Sequence, residues 1–325
     1  MIAGAIADAI RQSKKGRLAA VSSRRIETAR RFLAERPGTA AVEGIDALLG
    51  RADVEAVYVA TPTVAKEEIV LAAIAAGKHV LADKPLADRV SALRMVEAAA
   101  ARNVAFMDAT HFVHHPRTAA IKAASEEKIG PARSLHTQLY VTLDDPSNIR
   151  FDPKQEPMTA IGDLAWYSMR AIVEYLRPAG KIAKVVTAAE RDAKSGGILR
   201  AAGLIAFESG EVSTWDIGYT TGTIIQELHL LGTKGVIRMD DFVLDWSNSF
   251  AFKNPAVKAG YFHRTGKQTR NEETFVPAPA TNAQQVEMID ALCDLAAAGD
   301  NARRGEHAAA TLKTMEYLDA VWAAG

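Results

Sequence analysis

The chain has 325 residues, roughly two domains at ~150 residues each, and 48% of it is hydrophobic against 24% charged, enough apolar matter for a sizeable core. Lys+Arg and Asp+Glu both number 39, so there is no basic excess of the kind that nucleic-acid or anionic-membrane binders carry. One cysteine, Cys293, makes neither an internal disulfide nor a cysteine-based zinc cage, which fits a reducing, cytoplasmic setting; no apolar run approaches the ~18 residues of a spanning helix.

In chain order, the first half alternates short apolar runs with helical periods. Residues 1–10 form an apolar helical start on which Ile2, Ile6 and Ile10 make one stripe. Strands are expected at Arg17–Ser23, Ala40–Val42, Glu55–Thr61, Lys78–Asp83 and Val104–Ala109, with helices at Glu27–Glu35, Ala65–Ala76 and Asp88–Arg102. Strands separated by such helices mean parallel βαβ units in a doubly wound α/β sheet. A dinucleotide-binding sheet of this type opens with a strand and a Gly-rich turn. This chain opens inside the helix, so Arg17–Ser23 reads as a second strand and the first is expected upstream of Met1; the plainer alternative is that residues 1–12 are simply a helical N-terminus.

From about residue 113 the pattern changes. A helix at His115–Glu126, a strand at Arg133–Leu143 and a helix at Ile161–Leu176 precede strand upon strand: Lys184–Ala189, Leu199–Glu208, Val212–Tyr219, Ile225–Leu231 and Gly235–Met239. The turns Glu208–Glu211 and Gly232–Gly235 are hairpin-like. Helices return at Asn282–Ala298 and Glu306–Ala323. The expected organisation is a dinucleotide-type domain over 1–112 and an α+β domain with a large, mostly antiparallel sheet over 113–325.

Several positions carry candidate chemistry. Ser22-Ser23-Arg24-Arg25 closes the second strand without a carboxylate. Hydroxyl and guanidinium groups there suit a 2′-phosphate, so NADP(H) is expected over NAD(H); the same run also serves as a Ser-capped basic helix start. Thr61 and Pro62 end a buried strand, where ligands sit in open α/β sheets; an ordinary strand-to-helix turn with a Thr cap fits equally well. Asp83-Lys84-Pro85 ends the next one, and Lys84 there either reaches the nicotinamide or is an ordinary solvated lysine. His111, His114 and His115 follow the last strand of the first half. No H-E-x-x-H pattern or carboxylate partner supports a metal, and they suit hydrogen bonding to a hydroxylated ligand or a polar hinge. Asp163 and Tyr167, four apart at a helix start, share a face in an α-helix. The phenol suits proton exchange with a hydroxyl or carbonyl, provided a cation such as Lys84 favours the phenolate; a capping Asp and a core-edge Tyr are the plainer alternative.

The segments AVYVATPT (56–63), AGKHVLADKPLA (76–87), GDLAWY (162–167) and LLGTKGVIRMDDF (230–242) resemble the Gfo/Idh/MocA family of oxidoreductases over nearly the whole length. MDATHFVHHPRTAAIK (107–122) is most similar to a subgroup with largely uncharacterised members. The resemblance implies a Rossmann-like first domain, NADP(H), a sugar, polyol or related hydroxy/keto substrate, and hydride transfer. It implies catalytic roles for Lys84, Tyr167 and Asp163. Cofactor contacts fall on Ile2 and Ala3 (the end of the family's Gly-rich turn), Ser23, Arg24, Thr61, Pro62, Asp83 and Lys84. Arg150, His111 and His114 fall where substrate contacts are expected. Lys66 stands where the family often has His, and Asp83 is one carbon shorter than the usual Glu. A homo-oligomer through the second-domain sheet is also implied. A non-catalytic sensor on the same fold and an inactive short form are the competing readings.

Overall fold

A computed structural model describes residues 2–325. Two compact units emerge. The first comprises the chain up to Ala109 together with Gln285–Ala309; the second comprises Thr110–Gln284 with Ala310–Gly325.

The first unit opens with α1 (Ile2–Gln12), whose buried side chains are Ile6, Ala7 and Ala9. Then follow β1 (Ala20–Ser23), α2 (Ile26–Leu33), β2 (Ala40–Glu43), α3 (Ile45–Leu49), β3 (Ala56–Val59), α4 (Thr63–Ala75), β4 (His79–Ala82), α5 (Arg89–Ala101) and β5 (Phe106–Asp108). Every strand pair is parallel, as the alternation predicts, but the strands form two sheets rather than one: β1–β2 and β3–β4–β5. The three-stranded sheet is the hydrophobic one, with Val57, Val59, Val80, Leu81, Ala82, Phe106 and Met107 all buried. β1 and β2 are only half-buried. Asp88 starts α5 by accepting from the Ser91 N–H at 2.6 Å, satisfying a donor the helix leaves open.

The second unit starts with a 3₁₀ turn (His111–His114) and α6 (Pro116–Ile129). Pro116 tolerates the first helical position, and His115 caps it by accepting from the Arg117 N–H. β6 (Ala132–Tyr140) enters the sheet. The helix expected over 161–176 is present, but only α7 (Trp166–Ala171) is α-wound; Ile161–Ala165 and Ile172–Leu176 are π turns. Arg177, left-handed at φ 48°, ends it.

Next come β7 (Ile182–Arg191), β8 (Ile198–Phe207), β9 (Val212–Gly218), β10 (Ile225–Gly232), β11 (Gly235–Met239), β12 (Gly260–Thr265) and β13 (Thr274–Pro277). With β6 they make one eight-stranded sheet, ordered β13-β12-β11-β10-β6-β9-β8-β7. All pairs are antiparallel except β6–β9. Both expected hairpins join antiparallel neighbours, β8–β9 and β10–β11. β12 and β13 were not legible in the sequence; they lie at one edge, between polar segments, and owe their form to pairing with β11. One face of the sheet is packed, with Leu135, Thr137, Leu139, Trp215, Ile217, Leu228 and Leu230 buried. α8 (Gln284–Ala298) and α9 (Asn301–Ala323) close the chain.

Candidate active site

In the first unit the candidate residues gather at strand ends. Ser23 closes β1, its carbonyl accepting from the Gly44 N–H at 2.9 Å, while Ser22 Oγ donates to the Gly44 carbonyl at 2.7 Å. Arg24 and Arg25 follow, exposed and without an ion-pair partner among the described residues. Ile2 and Ala3 lie in the first turn of α1, where backbone N–H groups lack intrahelical acceptors. Pro62 is the N-cap of α4. Thr61 Oγ1, at the end of β3, is buried with no hydrogen-bond partner, a costly arrangement for a hydroxyl unless a bound group completes it.

After β4, the Asp83 N–H donates to the Val59 carbonyl at 2.9 Å, and Lys84 leads into Pro85 through a cis peptide. Lys66 is 2% exposed and donates to the Pro85 carbonyl at 2.5 Å; Thr63 Oγ1 reaches the same oxygen at 3.4 Å. Lys66, flagged in the sequence as a departure, therefore holds the turn that carries Lys84. The exposed arginines and the partnerless Thr61 hydroxyl fit a phosphorylated dinucleotide, whose 2′-phosphate the guanidinium groups would take.

In the second unit His111 and Tyr167 are buried, Asp163, Arg150 and His114 are half-buried, and four of them bond in two pairs. Tyr167 Oη lies 3.0 Å from His111 Nε2, and the rings stand 5.4 Å apart at 45°. His111 Nδ1 lies 2.5 Å from Gln284 Nε2. Asp163 Oδ2 accepts from Arg150 Nε at 2.7 Å and from Tyr219 Oη at 2.9 Å. The Asp163 charge raises the Arg150 pKa further above its ordinary value, with smaller contributions from Tyr219 and Tyr167. Burial first, then the Asp163 carboxylate, push the Tyr219 phenol far up, so it serves as a donor. The shared helical face expected for Asp163 and Tyr167 is altered by the π turn under Asp163, and the two residues have these different partners.

The three histidines also diverge. His111 meets Tyr167, His115 Nε2 meets Asp245 Oδ2 at 3.1 Å, and His114 is half-buried between them in sequence. No group of three His, Cys, Asp or Glu placed to hold a metal occurs among the described residues. Sequence reasoning missed Gln284, Tyr219 and Asp245. Nothing local marks them, since their partners lie 173, 56 and 130 positions away.

Parallel strands with candidate residues at their ends in one unit, and a buried, bonded phenol in the other, are features of a dinucleotide-dependent oxidoreductase. Residues 1–110 match the model of an oxidoreductase family with an NAD-binding Rossmann fold. The dTDP-3,4-didehydro-2,6-dideoxy-alpha-D-glucose 3-reductase of Streptomyces violaceoruber is 30% identical over 311 residues, 93% of this chain and 86% of that protein. The enzyme of the same name from Actinomadura kijaniata is 37% identical over 175 residues, 53% of this chain and 52% of its own length. A crystal structure of a 3-ketoreductase from Actinomadura kijaniata, in complex with NADP and TDP-benzene, superposes with a TM-score of 0.84 at 26% identity, covering 98% of this chain and 92% of that one. The chain belongs to the Gfo/Idh/MocA family of oxidoreductases.

Proposed function

We propose that this chain interconverts a keto and a hydroxyl group on a sugar with NADP(H), and that the sugar is presented as a nucleotide diphosphate conjugate. The reaction class, NAD(P)-dependent oxidoreduction of a sugar, is that of the family. The nucleotide-linked substrate is suggested by the relatives' names. The observation that carries the reading is the Tyr167 phenol, buried yet bonded to a neutral-capable imidazole 3.0 Å away, an arrangement suited to passing one proton.

When bound, NADP(H) supplies or accepts the hydride. Arg24, with Ser23, would hold the 2′-phosphate; Thr61, Pro62 and the first turn of α1 would line the rest of the dinucleotide. Tyr167 gives a proton to the carbonyl oxygen in reduction and takes it back in oxidation. Lys84 assists that proton, and Asp163, through Arg150, keeps the polar surroundings of the phenol ordered. Arg150 retains 36% side-chain exposure despite its ion pair and is proposed, with His114, to touch substrate.

The open face of the eight-stranded sheet carries Val186, 43% exposed, with His136, His229 and the Arg200–Tyr140–Asp216 cluster. We propose it as the contact between copies, and the cytoplasm as the setting of this lone-cysteine chain.

The test is a screen of nucleotide-linked and free keto sugars at fixed NADPH, followed by fluorescence. Oxidation of NADPH by one class of sugar is expected. Tight NADPH binding with no turnover across the panel would point instead to a sensor.

A further inference from the structure

Gln284, at the start of α8, is fully buried, and two backbone groups orient its amide without reference to any histidine. Nε2 donates to the Val243 carbonyl at 2.6 Å, and Oε1 accepts from the Asp245 N–H at 3.3 Å. Turning the amide over would set oxygen against oxygen and N–H against N–H. The second hydrogen on Nε2 therefore points along the 2.5 Å contact to His111 Nδ1. An amide nitrogen offers no lone pair, so Nδ1 accepts, and a neutral imidazole accepting there carries its proton on Nε2. That N–H donates to Tyr167 Oη. A phenol has one hydrogen, and having accepted from His111 it directs its own elsewhere.

The groups that orient Gln284 are themselves fixed. His115 Nδ1 accepts from the Arg117 N–H at 3.0 Å, which leaves its Nε2–H for Asp245 Oδ2. Asp245 Oδ1 accepts from Ser247 N and Oγ, both at 2.7 Å. The register of the Val243–Asp245 loop is thereby set.

We infer that Gln284 and His111 are positioning residues that hold one tautomer, so that Tyr167 receives a hydrogen bond and keeps its own proton for the substrate. The inference rests on the reading of Tyr167 as proton donor. In reduction the carbonyl carbon takes the hydride from NADPH. The Tyr167 O–H bond breaks, the proton joins the sugar oxygen, and the bonding pair stays on Oη. The His111 N–H stabilises that developing charge; Arg150, which also acts on Tyr167 electrostatically, adds to it. In the other tautomer the phenol would donate to Nε2, and its proton would be turned away from substrate.

The tautomer is read directly by nitrogen NMR of the full chain labelled with ¹⁵N-histidine, with no ligand present. A neutral histidine protonated on Nε2 and bare on Nδ1 is expected, its signals lost in His111→Phe. In Gln284→Glu the carboxylate accepts instead, and Nδ1 becomes protonated. A wild-type His111 protonated on Nδ1 at neutral pH would overturn the inference. Kinetically, His111→Phe should lower kcat roughly tenfold, as for one lost hydrogen bond to a charge, with KM unchanged and the basic limb of the kcat–pH profile moved upward. His111→Gln, which keeps an N–H donor, should restore much of both. Tyr167→Phe separates the two ideas. Full activity there removes the proton-donor reading itself; loss there, with an unmoved profile in His111→Phe, removes only the positioning role of His111 and Gln284.

Discussion

The two units handle charge in opposite ways. In the first, the cations at the end of β1 stand in solvent with no ion-pair partner among the described residues, while exposed pairs such as Arg36–Asp8 and Arg94–Glu67 lie on its surface. In the second, several charges are buried and satisfied more than once. Arg117, 2% exposed, donates to the Asp241 carboxylate, the Asp241 carbonyl and the Gly260 carbonyl. Burial pushes the Glu174 carboxyl up, but Arg170 and Lys122 outweigh it and hold the group below its usual value. Exposed cations such as Arg24 and Arg25 are left available to an anionic ligand. Around Tyr167 and Arg117, by contrast, donors and acceptors are matched to one another inside the unit.

The sharpest way to break this contrast is to remove a buried cation. Arg117→Ala leaves Asp241 with its partner gone and two carbonyls unmet, and should cost about 3–5 kcal/mol in denaturant unfolding. A loss no larger than that of a surface pair would remove the distinction. Next in size, Tyr167→Phe should lower kcat by ~10²-fold or more while NADPH titration stays unchanged, because the phenol belongs to the second unit's chemistry; Lys84→Ala should fall in the same direction.

The third prediction concerns acid. Burial alone would raise the Asp245 pKa, but hydrogen bonds from His115 and Ser247 bring it down to about 2. A depressed carboxylate stabilises the fold fully above its unfolded value near 4 and loses that contribution as pH falls through about 2. The difference is about 2 kcal/mol. Asp245→Asn should therefore flatten unfolding free energy between about pH 4 and 2; an unchanged slope would mean the pairing is not formed.

Smaller again, Arg24→Ala should weaken NADPH binding about tenfold and leave NADH binding nearly as it was, the size of one charge-assisted hydrogen bond. Equal loss for both nucleotides would take the 2′-phosphate away from this residue. Last, Arg36→Ala, which removes a pair half open to water, should shift stability by less than about 1 kcal/mol.

Much of the first unit could be read in advance because its signals are local. Buried runs such as AVYV (56–59) and HVLA (79–82) are apolar on both faces, and each is followed within a few residues by a helix start. The same locality exposed the basic strand end at Ser23-Arg24. What was not readable was the division of those strands between two sheets, since pairing depends on neighbours rather than on the strand's own residues. In the second unit GDLAWY placed Asp163 and Tyr167 in a helix start, but the π turn and the different partners of the two side chains came only with the structure.

The sequence by itself determined the alternation of strands and helices, the family likeness and the residue types able to carry a proton or a phosphate, because periodicity and strand-end chemistry are written within a few residues. The tertiary structure alone decided which way those groups point. Gln284 reaches His111 across 173 positions and Asp245 reaches His115 across 130. A tautomer is set by the partner on the far side of the ring, and no local pattern can record a partner so distant in the chain.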